Sequence, residues 1–329
     1  MRGILPAWIL GLSPIAMGLA LLASIRYGAN AVDWPTIWEA FFRFDSENVN
    51  HQIVMHSRLP RAIGALLIGG FLAVSGAVMQ GMTRNPLASP SIMGVSDGAI
   101  FAITLCMVFL PESPSLTLII FSMIGSVLGA GLVLGLASLL PNGMSVVQMA
   151  ILGTLTGMFL NSISAAIASY FHFSQNVSFW YNARLHQIDP DLIQIAAPFA
   201  LVGLIIALVI SRSITILSLG EEVSVGLGQR TAMVKTMAIL SVVLLTGVSV
   251  ALAGSIGFVG LIIPHITRFL VGMDYRKVIP CAGVLGAVFL VLSDILSRFI
   301  NYPFETPIGV VTSLFGTPIF LCLIYKKGG

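Results

Sequence analysis

Leu192–Ile210 reads LIQIAAPFALVGLIIALVI, Ser211–Lys235 reads SRSITILSLGEEVSVGLGQRTAMVK, and Thr236–Leu252 reads TMAILSVVLLTGVSVAL. Two apolar runs, each near the ~20 residues that cross a bilayer as a helix, flank one polar elbow. The elbow holds Arg212, Glu221, Glu222, Arg230 and Lys235 in a chain that is only 9% charged. Ser218-Leu219-Gly220-Glu221 has the S-x-x-E spacing of a capping box. That spacing predicts a short helix starting near Leu219. Gly226 and Gly228 are positions where it would stop, because glycine readily takes the left-handed turn that closes helices. The plainer reading of the same residues is a solvated loop. The rest of the chain decides between them.

The 329 residues are 57% hydrophobic, with a mean hydropathy of +1.00. Soluble domains are about 45–50% apolar and about 25% charged. Such a chain cannot cover its surface with polar groups, so it reads as an integral membrane protein. Lipid offers no partner to free backbone groups, which favours helices. Long apolar runs argue against the short alternating strands of a β-barrel. A net charge of +3 without a basic block gives no sign of nucleic-acid binding. Cys106, Cys281 and Cys322 lie singly in apolar runs, a pattern that carries neither a disulfide framework nor a metal site. No GxxxxGK[ST] occurs, so the chain does not bind ATP by a P-loop, and no nucleophile signature appears.

Nine further segments read as spans after Met1–Ile25. They are Ala62–Met82, Ile92–Leu110, Leu116–Leu139, Val147–Tyr170, Leu192–Ile210, Lys235–Leu252, Ile256–Phe269, Val278–Leu296 and Pro307–Tyr325. Ile256–Phe269 is short and carries Gly257, Gly260 and Pro264, so it reads as a short or broken span. Ten crossings put both termini on one side. That side then holds Arg2, Arg84, Arg212, Arg230, Lys235, Arg268, Arg276, Lys277, Lys326 and Lys327. The other side holds Arg26, Arg43, Arg58, Arg61, Arg184 and Arg298. The positive-inside bias makes the first side cytoplasmic. Trp34 and Trp38 in the long outer interval suit a membrane interface. Gly125/Gly129, Gly131/Gly135 and Gly153/Gly157 have the GxxxG spacing that lets helix backbones approach. Ala73–Ala77 and Ala251–Ser255 echo one another in oppositely directed spans, a faint sign of an inverted repeat.

Several stretches, in order, resemble a known family. Arg58-Leu59-Pro60-Arg61 opens the second span, and Ser75-Gly76-Ala77-Val78-Met79-Gln80 closes it. Arg84-Asn85-Pro86-Leu87-Ala88-Ser89-Pro90 and Gly94-Val95-Ser96-Asp97-Gly98-Ala99 follow. Leu219-Gly220-Glu221-Glu222, Gly226-Leu227-Gly228, Ser249 to His265, and Pro307-Ile308-Gly309-Val310-Val311-Thr312 come later. Over roughly residues 55 to 325 the chain resembles the permease subunits of type II ABC importers, which take up iron-siderophores, haem and vitamin B12. The resemblance implies an all-α fold of ten transmembrane helices forming one permease domain over residues 1–329. It implies a second permease, identical or paralogous, two ATP-binding-cassette ATPases that hold ATP and Mg, and an extracytoplasmic substrate-binding protein. This chain would then be no enzyme and would bind no cofactor itself.

The resemblance gives the elbow, residues 211–235, the role of coupling segment to the ATPase, through Leu219, Gly220, Glu221, Glu222, Gly226, Leu227 and Gly228. It matches Arg58, Arg61 and Arg298 to arginines that meet glutamates of the binding protein. The arginine fork suits carboxylates, although Asp294, four residues before Arg298, is an alternative partner. Asp97, His265 and Asp294 are the clear ionisable groups inside spans, with His265 expected to be structural at a helix end. Met79, Gln80, Met82 and Met93 are candidates to line the translocation path, or simply to pack. Asn85 is expected to cap backbone groups in the turn after the second span. The expected cargo is a ferric siderophore. Haem or a corrinoid is the alternative within the class, and an ion-coupled secondary transporter the alternative outside it.

Overall fold

The computed structural model describes residues 5–28, 31–91, 93–140, 146–175, 178, 185–302 and 304–327. Apolar runs become helices because each backbone group finds its partner within the run. In chain order these are α1 (Leu5–Arg26), α2 (Trp34–Phe42), α3 (Val49–Ile53), α4 (Leu59–Thr83), α5 (Val95–Phe109), α6 (Ser115–Leu139) and α7 (Val146–Tyr170). After them come α8 (Pro190–Leu217), α9 (Glu221–Gly226), α10 (Thr231–Ala253), α11 (Val259–Val271), α12 (Tyr275–Ser297) and α13 (Ile308–Lys327). Among the described residues no strand occurs. Among the described residues, seven helices have the length and composition of a span, and α5, α11 and α13 are shorter apolar helices.

The spans read from the sequence fall on these helices with three instructive differences. A π-turn at Val54–Arg58 joins α3 to α4, so the second apolar helix begins well before Ala62. α5 starts at Val95, after Gly94 turns the chain with φ 75°; Ile92 lies outside the described residues. α8 runs seven residues past Ile210, so the elbow begins at Ser218 and not at Ser211. Thr215 Oγ donates to the Ser211 carbonyl at 3.0 Å. Polar side chains that bond back along the helix in this way stay helical.

α4 is the axis of the bundle, and α1, α8, α10, α11 and α12 pack around it. Its apolar window is 78% buried, against 17% for α1 at the periphery. α4 carries five Gly and four Ala, and small residues let neighbouring backbones come close. A Cβ on Gly76 would lie 1.9 Å from the Gly260 carbonyl oxygen of α11. On Gly125 a Cβ would lie 2.2 Å from the Gly98 carbonyl, which seats α6 on α5. Gly131 and Gly135 face open space, so their GxxxG spacing is not a contact within this chain. Gly76→Ala should therefore cost about 1–3 kcal/mol by overpacking. Gly131→Ala should be near neutral. Thermal unfolding of the detergent-solubilised chain compares the two, and equal midpoints would contradict the packing.

The break before α11 is real. Gly254 ends α10 with φ 78° and Phe258 precedes α11 with φ 68°. At 13 residues and 1.5 Å per residue, α11 spans only about 20 Å, so it is a short helix after an interrupted one. His265 sits within α11 and not at its end. The Ala73–Ala77 and Ala251–Ser255 stretches do not share a local structure, since Gly76 is mid-helix and Gly254 is a terminator. Trp34 and Trp38 are exposed on α2, and the Arg26 guanidinium lies over the Trp34 ring at 4.8 Å. Cys106 and Cys281 are buried as free thiols; the side chain of Cys322 lies outside the described residues.

Candidate functional site

The polar side chains singled out in the sequence form two separate clusters. The first is at the elbow. α9 is a short helix, as the spacing requires, but the capping box does not form. Ser218 Oγ donates instead to the Thr215 carbonyl at 2.7 Å, closing α8. Gly220, with φ 138°, turns the chain, and α9 begins at Glu221. The helix stops at Gly226, and Gly228 takes φ 77°.

Three contacts fix α9 on the bundle. Gln229 Nε2 donates to the Ser213 carbonyl of α8 at 3.0 Å. The buried Ser224 hydroxyl donates to Gln229 Oε1. Lys235 Nζ of α10 donates to Glu221 Oε1 at 2.6 Å. This bond holds the Glu221 carboxyl below its ordinary value, aided by the positive charge of Lys235. A depressed folded value means that the contact contributes above the unfolded glutamate range. The contribution is lost as pH falls through the folded value. Lys235→Met should raise the Glu221 titration back toward the ordinary range, read by carbon NMR of the labelled carboxyl; an unmoved midpoint would contradict the pair. Held in this way, α9 and its flanks expose Leu219, Val223, Val225 and Leu227 beside Glu222. A run of exposed apolar side chains among charges is one pattern of an interaction surface.

At the other end, Asp294 of α12 is a hub. Arg61 reaches it through Nε at 3.0 Å and Nη2 at 2.8 Å, and Arg61 Nη1 donates to Glu305 at 2.7 Å. Arg298 also donates to Asp294. It further bonds the Ser24 and Tyr27 carbonyls at 2.7 and 2.6 Å. Arg58 Nη1 donates to the Ile25 and Arg26 carbonyls at 2.8 and 3.0 Å. All three arginines are buried. They tie the end of α1 to the start of α4, the end of α12 and the loop before α13. Within this chain the guanidinium groups point inward, because Asp294 and the carbonyls of residues 24–27 lie within reach, and the Asp294–Arg298 pairing weighed as the alternative partner is present. Arg61, Asp294, Glu305 and His186 line a cavity of 440 Å³ that opens at this end. His186 Nδ1 lies 3.6 Å from Glu305.

Met79, Gln80, Met82 and Met93 are buried within the chain. The three methionines pack against Val95, Ala130 and Leu134 and against Val242 and Val243 of α10, around a void of only 10 Å³. Of the two readings, path or packing, these contacts are packing within the single chain. Gln80 Nε2 donates to the Leu261 carbonyl at 3.0 Å in the broken start of α11. Asn85 Oδ1 accepts from the Leu87 N–H at 2.8 Å, as expected for the turn after α4. Asp97 meets Asn161 of α7, whose Nδ2 donates at 3.1 Å.

Residues 16–326 match the FecCD transport family. The chain belongs to this family. It is thus a multi-pass membrane protein and a transport component. It is similar to the iron-uptake system permease protein FeuB of Bacillus subtilis, with 60% identity over 98% of this chain and 96% of the relative. The Bacillus subtilis iron(3+)-hydroxamate import system permease protein FhuB is 47% identical over 97% of this chain and 83% of its own length. Among solved structures, an inward-facing conformation of a metal-chelate type ABC transporter superposes with a TM-score of 0.81 at 28% identity. That likeness covers 98% of this chain and 99% of the other.

The positioning residues at each end escaped sequence reading. Gln229 and Ser224 carry no sequence signal beyond lying in the elbow. Glu305, two residues before the Pro307 motif, is one acid among several in outer intervals.

Proposed function

We propose that this chain is the permease subunit of an ATP-binding-cassette importer that carries an iron-siderophore complex across the cytoplasmic membrane. The observation that carries the reading is the near end-to-end similarity to an iron-uptake permease at 60% identity. Two such permeases, identical or paralogous, would form the path between them. Two ATPase subunits would hydrolyse ATP with Mg, and an extracytoplasmic binding protein would deliver the chelate. The domain runs over residues 1–329 with ten crossings and both termini cytoplasmic. The basic-residue bias of the sequence supports that orientation.

α9 is the coupling element in this reading. Leu219, Gly220, Glu221, Glu222, Gly226, Leu227 and Gly228 form the contact with the ATPase. Its exposed apolar side chains supply contact area, and Glu222 offers a carboxylate to a basic partner. At the outer end the binding protein seats over the Arg61–Glu305 cavity. A partner carboxylate entering there would exchange with Glu305 on Arg61, while Arg58 and Arg298 hold the frame. Gentle-detergent purification from the native host, with partners identified by mass spectrometry, tests the assembly. An ATPase and a binding protein should copurify, and the binding protein should take a ferric siderophore in preference to haem or a corrinoid. A chain that comes down alone, under conditions that preserve other ABC complexes, would overturn the reading.

A further inference from the structure

A second cavity, of 450 Å³, lies at the elbow end between α4, α8, α11 and the start of α12. Its walls include Arg84, Arg268, His265 and the Tyr275 side chain, and no carboxylate lines it. Arg84 caps α4 in a left-handed conformation, φ 53°, and is exposed at the rim. Arg268 is half-buried. Its Nη1 donates to Tyr275 Oη at 3.3 Å, and its Nη2 lies 3.5 Å from His265 Nδ1. The nearby acids are committed elsewhere. Glu221 accepts from Lys235 and also feels the charge of Arg84. Asp274 accepts from Arg276 at 3.1 Å. A guanidinium matches tetrahedral oxyanions through paired N–H donors.

Two more observations narrow the ligand. Gln80 also lines the cavity, and its buried Oε1 has no hydrogen-bond partner. With its Nε2 already donating to Leu261, Gln80 offers an acceptor and calls for a hydroxyl. Phe269 and Met273 line the same cavity and are among the most exposed apolar side chains at that end.

We propose that this cavity binds a phosphate-type anion that carries a hydroxyl group, with Arg84 and Arg268 holding the phosphate oxygens and Gln80 accepting from the hydroxyl. A glycerol-bearing phospholipid headgroup and a free phosphate share this chemistry. The apolar rim suits the former. The site is independent of the importer reading, because its test uses the permease alone.

Delipidated full-length permease in neutral detergent would be titrated with phosphatidylglycerol, with phosphatidylcholine, and separately with inorganic phosphate. Native mass spectrometry reads the lipids and calorimetry the phosphate. One equivalent of phosphatidylglycerol should bind in preference to phosphatidylcholine, and loss of one guanidinium should weaken it about tenfold. Arg268→Gln reports the inner contact, and Arg268→Lys should recover part of the affinity. Arg84 is exposed, so Arg84→Gln reports on the site even where Arg268→Gln does not fold. Phosphate that competes with the lipid at millimolar concentration assigns a soluble source, and lipid binding without such competition assigns the headgroup. Equal binding of the two lipids with no phosphate heat would overturn the site, as would affinities unchanged in Arg84→Gln and Arg268→Gln.

Discussion

A permease carrying Val225→Asp and Leu227→Asp should fold and insert normally, yet lose its ATPase and its uptake activity. Both side chains stand clear of the bundle, 57% and 66% exposed, so their replacement removes no packing from the chain. What it removes is apolar contact area at the centre of the proposed coupling surface. Truncating a buried interface anchor costs about 2 kcal/mol or more, equivalent to a factor of about 30 in affinity. Two carboxylates set where apolar side chains pack would be desolvated without dedicated partners, which adds to the cost. The measurement is recovery of the ATPase with tagged permease, alongside uptake of iron-siderophore by membrane vesicles. Unchanged recovery with unchanged uptake would remove α9 from the ATPase contact. The framing contacts from Gln229 and Lys235 stay intact in this variant, so the outcome reports on the surface and not on the elbow's own shape.

Asp294→Ala should be the most destabilising single change at the outer end. Asp294 is fully buried and accepts from both Arg61 and Arg298. Removing it leaves two guanidinium groups inside the bundle without their shared counter-charge. Breaking a buried ion pair from one side costs about 3–5 kcal/mol. Glu305→Gln, at a partly exposed partner of Arg61 and His186, should cost much less. Unfolding of the two variants in detergent, against the parent chain, reads the difference. Equal stability of Asp294→Ala and the parent would mean that the cluster relaxes by drawing in water and that the arginines do not depend on Asp294.

The helices were legible because their signal is local. A run of about 20 apolar residues reads as a span wherever it sits, and α6, α7, α10 and α12 begin and end within a few residues of the expected bounds. Boundaries failed where polar residues serve helical geometry. Ser211, Arg212, Ser213 and Thr215 look like a loop, yet they extend α8 as far as Leu217. The S-x-x-E pattern at Ser218 was misleading because Gly220 takes a backbone conformation that separates Ser218 from α9. The roles of the arginines turned on partners far away in sequence. Arg61 and Asp294 are 233 positions apart, and Arg298 and Ser24 are 274 apart. Nothing in either neighbourhood announces such a meeting. For the methionines the sequence left path and packing both open, and their neighbours on α5, α6 and α10 are the contacts they make within this chain.

Reconstituted transport tests the central claim most directly. Proteoliposomes would hold this chain with its copurified ATPase and second permease, and the binding protein loaded with radioactive ferric siderophore would be supplied outside. Enclosed ATP with Mg should drive accumulation of iron, and Leu227→Asp should abolish it. A proton or sodium gradient without ATP should drive none. Accumulation driven by the gradient alone, and indifferent to ATP, would contradict the account and make the chain a secondary transporter.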